Sequence, residues 1–282
     1  MLDRELVEAV KLAREAGAVL LEVYATDFDV EYKEPSEPVT VADKRANELI
    51  VARLRDTFPD DVVISEESTE NQTAPLTGRC WYVDPLDGTK EFIARNGEFA
   101  VMIGLAIDGR ARLGVVYQPE GNILYRGVVG ESAFVERGER TYALRVSETP
   151  EPSELRLVSS RSHRSKAMGG LMEQLGVTEE IRSGSVGLKC GLIARRDADL
   201  YVNLSSKTMA WDACAPEAVL RAAGGRFADL AGEPFRYGGD LRNLWGILAC
   251  NGAAFEAVVP AVREAAAAKG LLPLPPKEGA EA

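Results

Sequence analysis

Apolar residues Leu6, Val10, Ala13, Gly17, Leu20 and Tyr24 recur at alternating spacings of four and three, which predicts one face of a long first helix. A second helix is expected to begin at Thr40. That residue is a good N-cap, Asp43 stands three positions on as in a capping box, and Ala46, Leu49, Ile50 and Leu54 form the apolar face. After Phe58-Pro59 the period shortens. Apolar runs at 62–64, 81–83 and 100–107 read as strands, and Asp108-Gly109 reads as a hairpin turn into a strand over 113–117.

Residues 141–154, with Pro150 and Pro152, read as a link between two halves. Beyond it strands and helices alternate. Strands are expected over 155–159, 200–204, around Phe227 and over 246–250. Helices are expected over 166–175, closed by Gly176, over 186–194, and over 212–223, closed by Gly224-Gly225, with a last one over 253–269. Three segments follow: an N-terminal α+β half at 1–150, a C-terminal α/β half at 151–270, and a Pro-rich acidic tail from 271 to 282, expected to be poorly ordered.

A chain of 282 residues is long enough for one large core or two smaller ones. Its formal net charge of −11 argues against binding polymeric nucleic acid or an acidic membrane surface. The single histidine, His163, excludes mechanisms that need two imidazoles, so catalysis would fall to carboxylates, hydroxyls and bound ions. Cys80, Cys190, Cys214 and Cys250 show no CxxC spacing, and reduced, buried thiols are expected. The charged, amphipathic N-terminus carries no visible export signal, and the longest apolar run, 99–107, is half a membrane span. A cytoplasmic location is the expectation.

The sharpest local feature is Asp84-Pro85-Leu86-Asp87-Gly88-Thr89, directly after an apolar strand. Pro85 is expected to stop the strand and Gly88 to allow a tight bend, presenting two carboxylates and a hydroxyl together. Oxygen donors of this kind suit a hard cation such as Mg²⁺. Glu66-Glu67 follow another short strand, and Trp211-Asp212 opens a helix, where Asp212 is a competent N-cap. Taken singly, each has a plainer reading as a polar loop, a solvated acidic turn or a structural cap. Sequence spacing does not show that they converge.

Glu66-Glu67, Asp84 to Thr89, and Trp211-Asp212-Ala213-Cys214-Ala215-Pro216 resemble, in that order, the motifs of the inositol monophosphatase superfamily of Mg²⁺-dependent, lithium-sensitive phosphatases. The extended run Asp84 to Phe92, with Arg95-Asn96-Gly97-Glu98-Phe99 and Ser159-Ser160-Arg161-Ser162-His163, resembles its 3'(2'),5'-bisphosphate nucleotidase (CysQ-type) branch. The resemblance implies the layered α/β/α/β/α sandwich of that superfamily, an α+β fold with its site between the halves. It implies metal ligands at Glu66, Asp84, the Leu86 carbonyl, Asp87 and Asp212, with Glu67 as an outer or third-metal contributor, and two or three Mg²⁺ per site. Thr89 and Asp43 match the pair that activates the nucleophilic water. A hydroxyl relayed to a carboxylate can take that proton without any histidine.

The implied reaction removes the 3'-phosphate of adenosine 3',5'-bisphosphate, or of its sulfated analogue, by in-line attack of water. Substrate contacts are expected from Gly88, Thr89, Ser162, His163, Ser185, Lys189 and Asp212, with Lys189 near a helix start as a second anion site and Arg161 and Arg164 adding charge. Ser185-Val186-Gly187-Leu188 lacks the paired serines that some relatives carry before Leu-Lys. The partner is a small phosphorylated nucleotide, and the chain is expected as a monomer or homodimer. Two other readings stay open: an inositol-1-phosphate or broad sugar-phosphate phosphatase, against which Lys90-Glu91 stands, and an inactive homologue that binds nucleotide or metal, against which the intact set of acidic residues stands.

Overall fold

The structure, a computed structural model, describes residues 2–34, 37–68, 73–243 and 245–272. Its helices are α1 (Asp3–Tyr24), α2 (Val41–Thr57), α3 (Thr89–Ile93), α4 (Met168–Leu175), α5 (Val186–Ala194), α6 (Ala210–Ala222) and α7 (Phe255–Ala268). The tail expected to be poorly ordered lies, from residue 273 on, outside the described residues.

Two sheets carry the architecture. The first runs in the order Arg140–Ala143, Ala133–Arg137, Ile123–Val128, Arg110–Gln118, Ala100–Ile107, Arg79–Asp87, Val62–Ser65. Its neighbours are antiparallel except the last pair, which is parallel. The second runs Glu179–Ser183, Arg156–Ser160, Leu200–Asn203, Ile247–Cys250, Arg226–Ala228, parallel in its first two pairs and antiparallel in the rest.

The period-2 alternation of each strand decides which layer it feeds. Trp81, Val83, Val101, Ile103, Leu113 and Val115 face α1 and α2, packing with Leu12, Leu20, Ile50 and Leu54. The residues between them, Tyr82, Met102 and Val116, face the other way. They meet Leu188 and Cys190 of α5, Ala215 and Val219 of α6, and Tyr201, Phe227 and Ala249 of the second sheet. The far face of that sheet, including Leu157, Val202 and Leu248, packs on Met168 and Leu171 of α4 and Phe255 and Val258 of α7. The result is the layered α/β/α/β/α sandwich expected from the resemblance.

Strand glycines set how closely α6 approaches. A Cβ at Gly114 would stand 2.2 Å from the Ala215 carbonyl oxygen, and one at Gly104 2.6 Å from the Ala215 nitrogen. Only a residue without a side chain at these positions lets the first turns of α6 sit against the sheet.

Thr40 accepts from the Ala42 N–H and caps α2, and the Asp108-Gly109 turn joins two antiparallel strands, both as expected. Three expectations change, and one strand pair was not foreseen. The strand before the acidic turn does not end at Pro85: its pairing shifts register after Asp84 and resumes at Asp87 opposite Ala100, so Pro85 and Leu86 form the irregular step. Helix α6 starts at Ala210, so Asp212 lies inside its first turn and its Oδ2 accepts the Met209 N–H at 2.7 Å. The supposed link at 141–154 begins inside the edge strand Arg140–Ala143. The hairpin of Val30–Glu34 and Glu37–Thr40 has no strong alternation to announce it. Among the described residues, no helix is long and apolar enough to cross a membrane, and the four cysteines are free and buried.

Candidate active site

Asp43 sits where α2 begins, and its two oxygens have separate partners. Oδ2 accepts the Thr40 N–H at 2.7 Å and the Thr40 hydroxyl at 2.6 Å, completing the capping box. Oδ1 accepts from Thr89 Oγ1 at 3.2 Å. The Thr89 hydroxyl also lies 3.3 Å from the Leu86 carbonyl, so the acidic turn and the start of α2 are joined through one hydroxyl. Burial pushes the Asp43 carboxyl up to about 6, against the lowering effect of its bonds from Thr40 and with a further rise from the nearby Glu67 charge.

Glu66, Asp84, Asp87 and Asp212 converge although they come from three separate segments. Asp84 and Asp212 are held well above the ordinary aspartate value, first by burial and then by each other's neighbouring charges: Glu66, Asp87 and Asp212 act on Asp84, and Asp87 and Glu66 act on Asp212. Lys189 offsets part of this at Asp212. Buried carboxylates that repel one another, all with hard oxygen donors, fit a divalent cation. Among the described residues no three or more acidic, thiol or imidazole side chains stand, as they are, close enough together to hold a metal ion. Three of the four have one oxygen committed to a protein donor: Asp84 Oδ1 to the Leu86 N–H at 3.0 Å, Asp212 Oδ2 to Met209 N–H, and Asp87 Oδ2 to Ser185 Oγ at 2.5 Å and Gly187 N–H at 3.1 Å. An open oxygen set of this type suits Mg²⁺, which keeps waters and shares substrate oxygens.

The Asp87 bonds tie the first sheet to α5. Ser185, at φ 52, caps that helix by accepting the Leu188 N–H at 3.1 Å. Lys189 is almost wholly buried, donates from Nζ to the Ser185 carbonyl at 2.6 Å and stands 5.0 Å from the Tyr201 ring centre. Burial lowers its pKa, and Asp87 and Glu91 act in the opposite direction.

The loop after strand Arg156–Ser160 departs from expectation. Ser162 Oγ donates to buried Glu91 at 2.5 Å, so this hydroxyl is turned to a protein carboxylate and does not line the cleft. Arg161 is bound bidentately to Glu98, both contacts at 2.6 Å, and Arg164 to Glu180 at 2.6 Å. Both arginines therefore have carboxylate partners, which reduces the charge expected of them. His163 Nε2 lies 2.8 Å from Lys90 Nζ. An ammonium only donates, so Nε2 accepts and the ring is neutral with its proton on Nδ1. Burial, and then the Lys90 charge, lower the His163 pKa in agreement.

These elements enclose a cleft of about 590 Å³. Glu66, Asp87, Gly88, Thr89, His163, Ser185, Lys189 and Asp212 line it; Asp43 and Asp84 are buried, and neither they nor Leu86 and Glu67 line it. Lys90, Lys207 and Lys269 also line it and were not identified as contacts from sequence. Lys90 directly follows Thr89 and was open to that inference. Lys269 comes from the end of α7, and no sequence signal ties it to the site.

Fold and site together define the class. The model of the inositol monophosphatase family matches residues 1–267. The chain belongs to the inositol monophosphatase family and is a phosphoric monoester hydrolase. A curated relative, the 3'(2'),5'-bisphosphate nucleotidase CysQ of Escherichia coli K12, is 39% identical over 233 residues, covering 82% of this chain and 92% of that protein. The 3'-phosphoadenosine 5'-phosphate phosphatase of Mycobacterium leprae is 31% identical, covering 81% and 82%. Among solved structures, CysQ of Bacteroides thetaiotaomicron matches at TM-score 0.73 and 32% identity over 87% of this chain and 96% of its own. The Thermotoga maritima IMPase TM1415 matches at TM-score 0.78 and 25% identity over 95% and 99%.

Proposed function

We propose that this protein is a Mg²⁺-dependent phosphatase that removes the 3'-phosphate from adenosine 3',5'-bisphosphate. The observation that carries the reading is the joining of Thr89 to Asp43 beside the carboxylates of Glu66, Asp84, Asp87 and Asp212. Two relatives named for this class of substrate, and the cations Lys90, Lys189, Lys207 and Lys269 around the cleft, support a substrate with two phosphates. Mg²⁺ held by Glu66, Asp84, Asp87, Asp212 and the Leu86 carbonyl, with Glu67 beside them, would neutralise the phosphoryl oxygens and lower the pKa of a bound water.

This chain's own residues supply the remainder. Thr89 receives a proton from the attacking water and passes its own to Asp43 Oδ1, whose other oxygen is fixed by Thr40. Gly88 and Thr89 present backbone beside the phosphate, and Ser185 holds Asp87 in place. Lys90 and Lys189 add positive charge to the cleft, where it acts on phosphate oxygens. His163, neutral, accepts from Lys90 and orients it.

The test is Asp87→Asn. An asparagine oxygen can still accept from Ser185 and Gly187, so the fold should persist by circular dichroism while Mg²⁺-dependent phosphate release is nearly abolished. Wild-type release would remove Asp87 from the metal site.

A further inference from the structure

The two ends of α5 lead to different places. Its first residues stand in the catalytic cleft, while Arg195 and Arg196, just past its last turn, line a second cavity of about 580 Å³. Arg137, at the end of an edge-proximal strand, and Arg145, after the outermost strand, line the same cavity. Four arginines thus line it from three separate elements, in a chain whose net charge is −11. Among the described residues, Asp197 is the one carboxylate that lines it.

We infer that this cavity binds a phosphate-bearing anion of nucleotide size. Its volume lies in the range of small-ligand sites, roughly 300–1,000 Å³. Its lining includes buried Val135 and Leu144, and Tyr142, 47% exposed, adds an aromatic side chain that can stack on a planar group. Among the described residues, Arg137 and Arg196 make no ion pair. Arg196 Nε donates to the Arg145 carbonyl at 2.8 Å, which fixes its stem and leaves its terminal nitrogens as donors. Arg145 pairs with Glu148 at 2.6 Å, but both side chains are more than two-thirds exposed, and so loose a pair yields readily to a multiply charged oxyanion. Arg195 is already partnered, by Asp197, 2.6 Å from its Nε, and by the Tyr125 hydroxyl, so it contributes charge to the cavity wall rather than a free fork.

A plainer account covers part of the cluster. Cations complement the carbonyl end of a helix such as α5, and charged residues guard an exposed sheet edge. Neither explains why Arg137 and Arg145 converge on the cavity that Arg195 and Arg196 line.

The test is site-resolved NMR of the arginine Nε–H signals in Mg²⁺-free buffer, titrated in parallel with AMP, inorganic phosphate and sodium chloride. The expected result is saturable shifts of the Arg145 and Arg195 signals at lower concentration for AMP than for phosphate. R137A/R196A should raise the AMP midpoint about tenfold or more without changing basal phosphate release. Equal midpoints for AMP and phosphate would overturn the nucleotide-sized ligand. Shifts no larger than those caused by chloride, or a midpoint untouched by R137A/R196A, would overturn the site itself.

Discussion

Thr89 donates its hydroxyl to Asp43 Oδ1 at 3.2 Å, while Thr40 holds the other oxygen of the same carboxylate. One side chain is thereby both the cap of α2 and the candidate proton acceptor of the site. The cap fixes the base, and the position of the base depends on the helix start rather than on a mobile loop.

The first prediction concerns acid–base behaviour. Asp43 must be ionised to accept a proton, and its carboxyl is pushed up to about 6. The rate should therefore fall about tenfold per pH unit below that value. Asp43→Asn should lower kcat by about 10²–10⁴-fold and remove the acid limb from the pH–rate profile. For stability the sign is opposite. A raised carboxyl pKa gives a contribution that is full below the ordinary aspartate range and lost as pH rises through about 6.

The second concerns the buried carboxylates. Asp84→Asn keeps the acceptor for the Leu86 N–H and removes one of the charges that oppose one another. Activity should be lost, while the melting temperature in metal-free buffer stays level or rises. Mg²⁺ should raise the wild-type melting temperature and raise that of the variant less. Calorimetry with and without Mg²⁺ reads both effects.

The third concerns packing under the site. Gly114→Ala would place a methyl 2.2 Å from the Ala215 carbonyl and push α6, which carries Asp212, away from the sheet. A loss of about 1–3 kcal/mol is expected from denaturant unfolding. It should be accompanied by weaker Mg²⁺ activation.

The fourth concerns the loop that holds His163. Arg161 pairs bidentately with Glu98, whose carboxyl is held below its ordinary value by Arg161 and the Gly184 N–H despite burial. Such a group stabilises above the ordinary glutamate range, and that contribution is lost as pH falls through the lowered value. Arg161→Ala should cost about 0.5–1 kcal/mol at neutral pH, a cost that shrinks on acidification. Its KM should rise more than its kcat falls, because the loop positions substrate contacts.

Much of this was legible in the sequence, for reasons that differ by residue. The capping box of Thr40 and Asp43, the acidic run Asp84 to Thr89 and the helix of Asp212 announce themselves through local patterns that backbone geometry enforces. The five layers were implied by the family resemblance, and in the structure they rest on strands whose two faces are both apolar, as Trp81, Tyr82 and Val83 show. Convergence was legible only through the family resemblance and not from spacing, because Asp84 and Asp212 meet only through the packing of α6 on the first sheet. Nor was pairing: Ser162 with Glu91, Arg161 with Glu98 and Arg164 with Glu180 are long-range choices among several equally polar partners. The extension of the strand past Pro85 depends on a register shift that no local rule dictates.

The most direct measurement is phosphate release in Mg²⁺ from adenosine 3',5'-bisphosphate, inositol-1-phosphate and fructose-1,6-bisphosphate, compared by kcat/KM at one enzyme concentration. The account predicts that the adenosine bisphosphate is preferred and that chelating Mg²⁺ abolishes release. Preference for the inositol or sugar ester, or undiminished release without Mg²⁺, would contradict it.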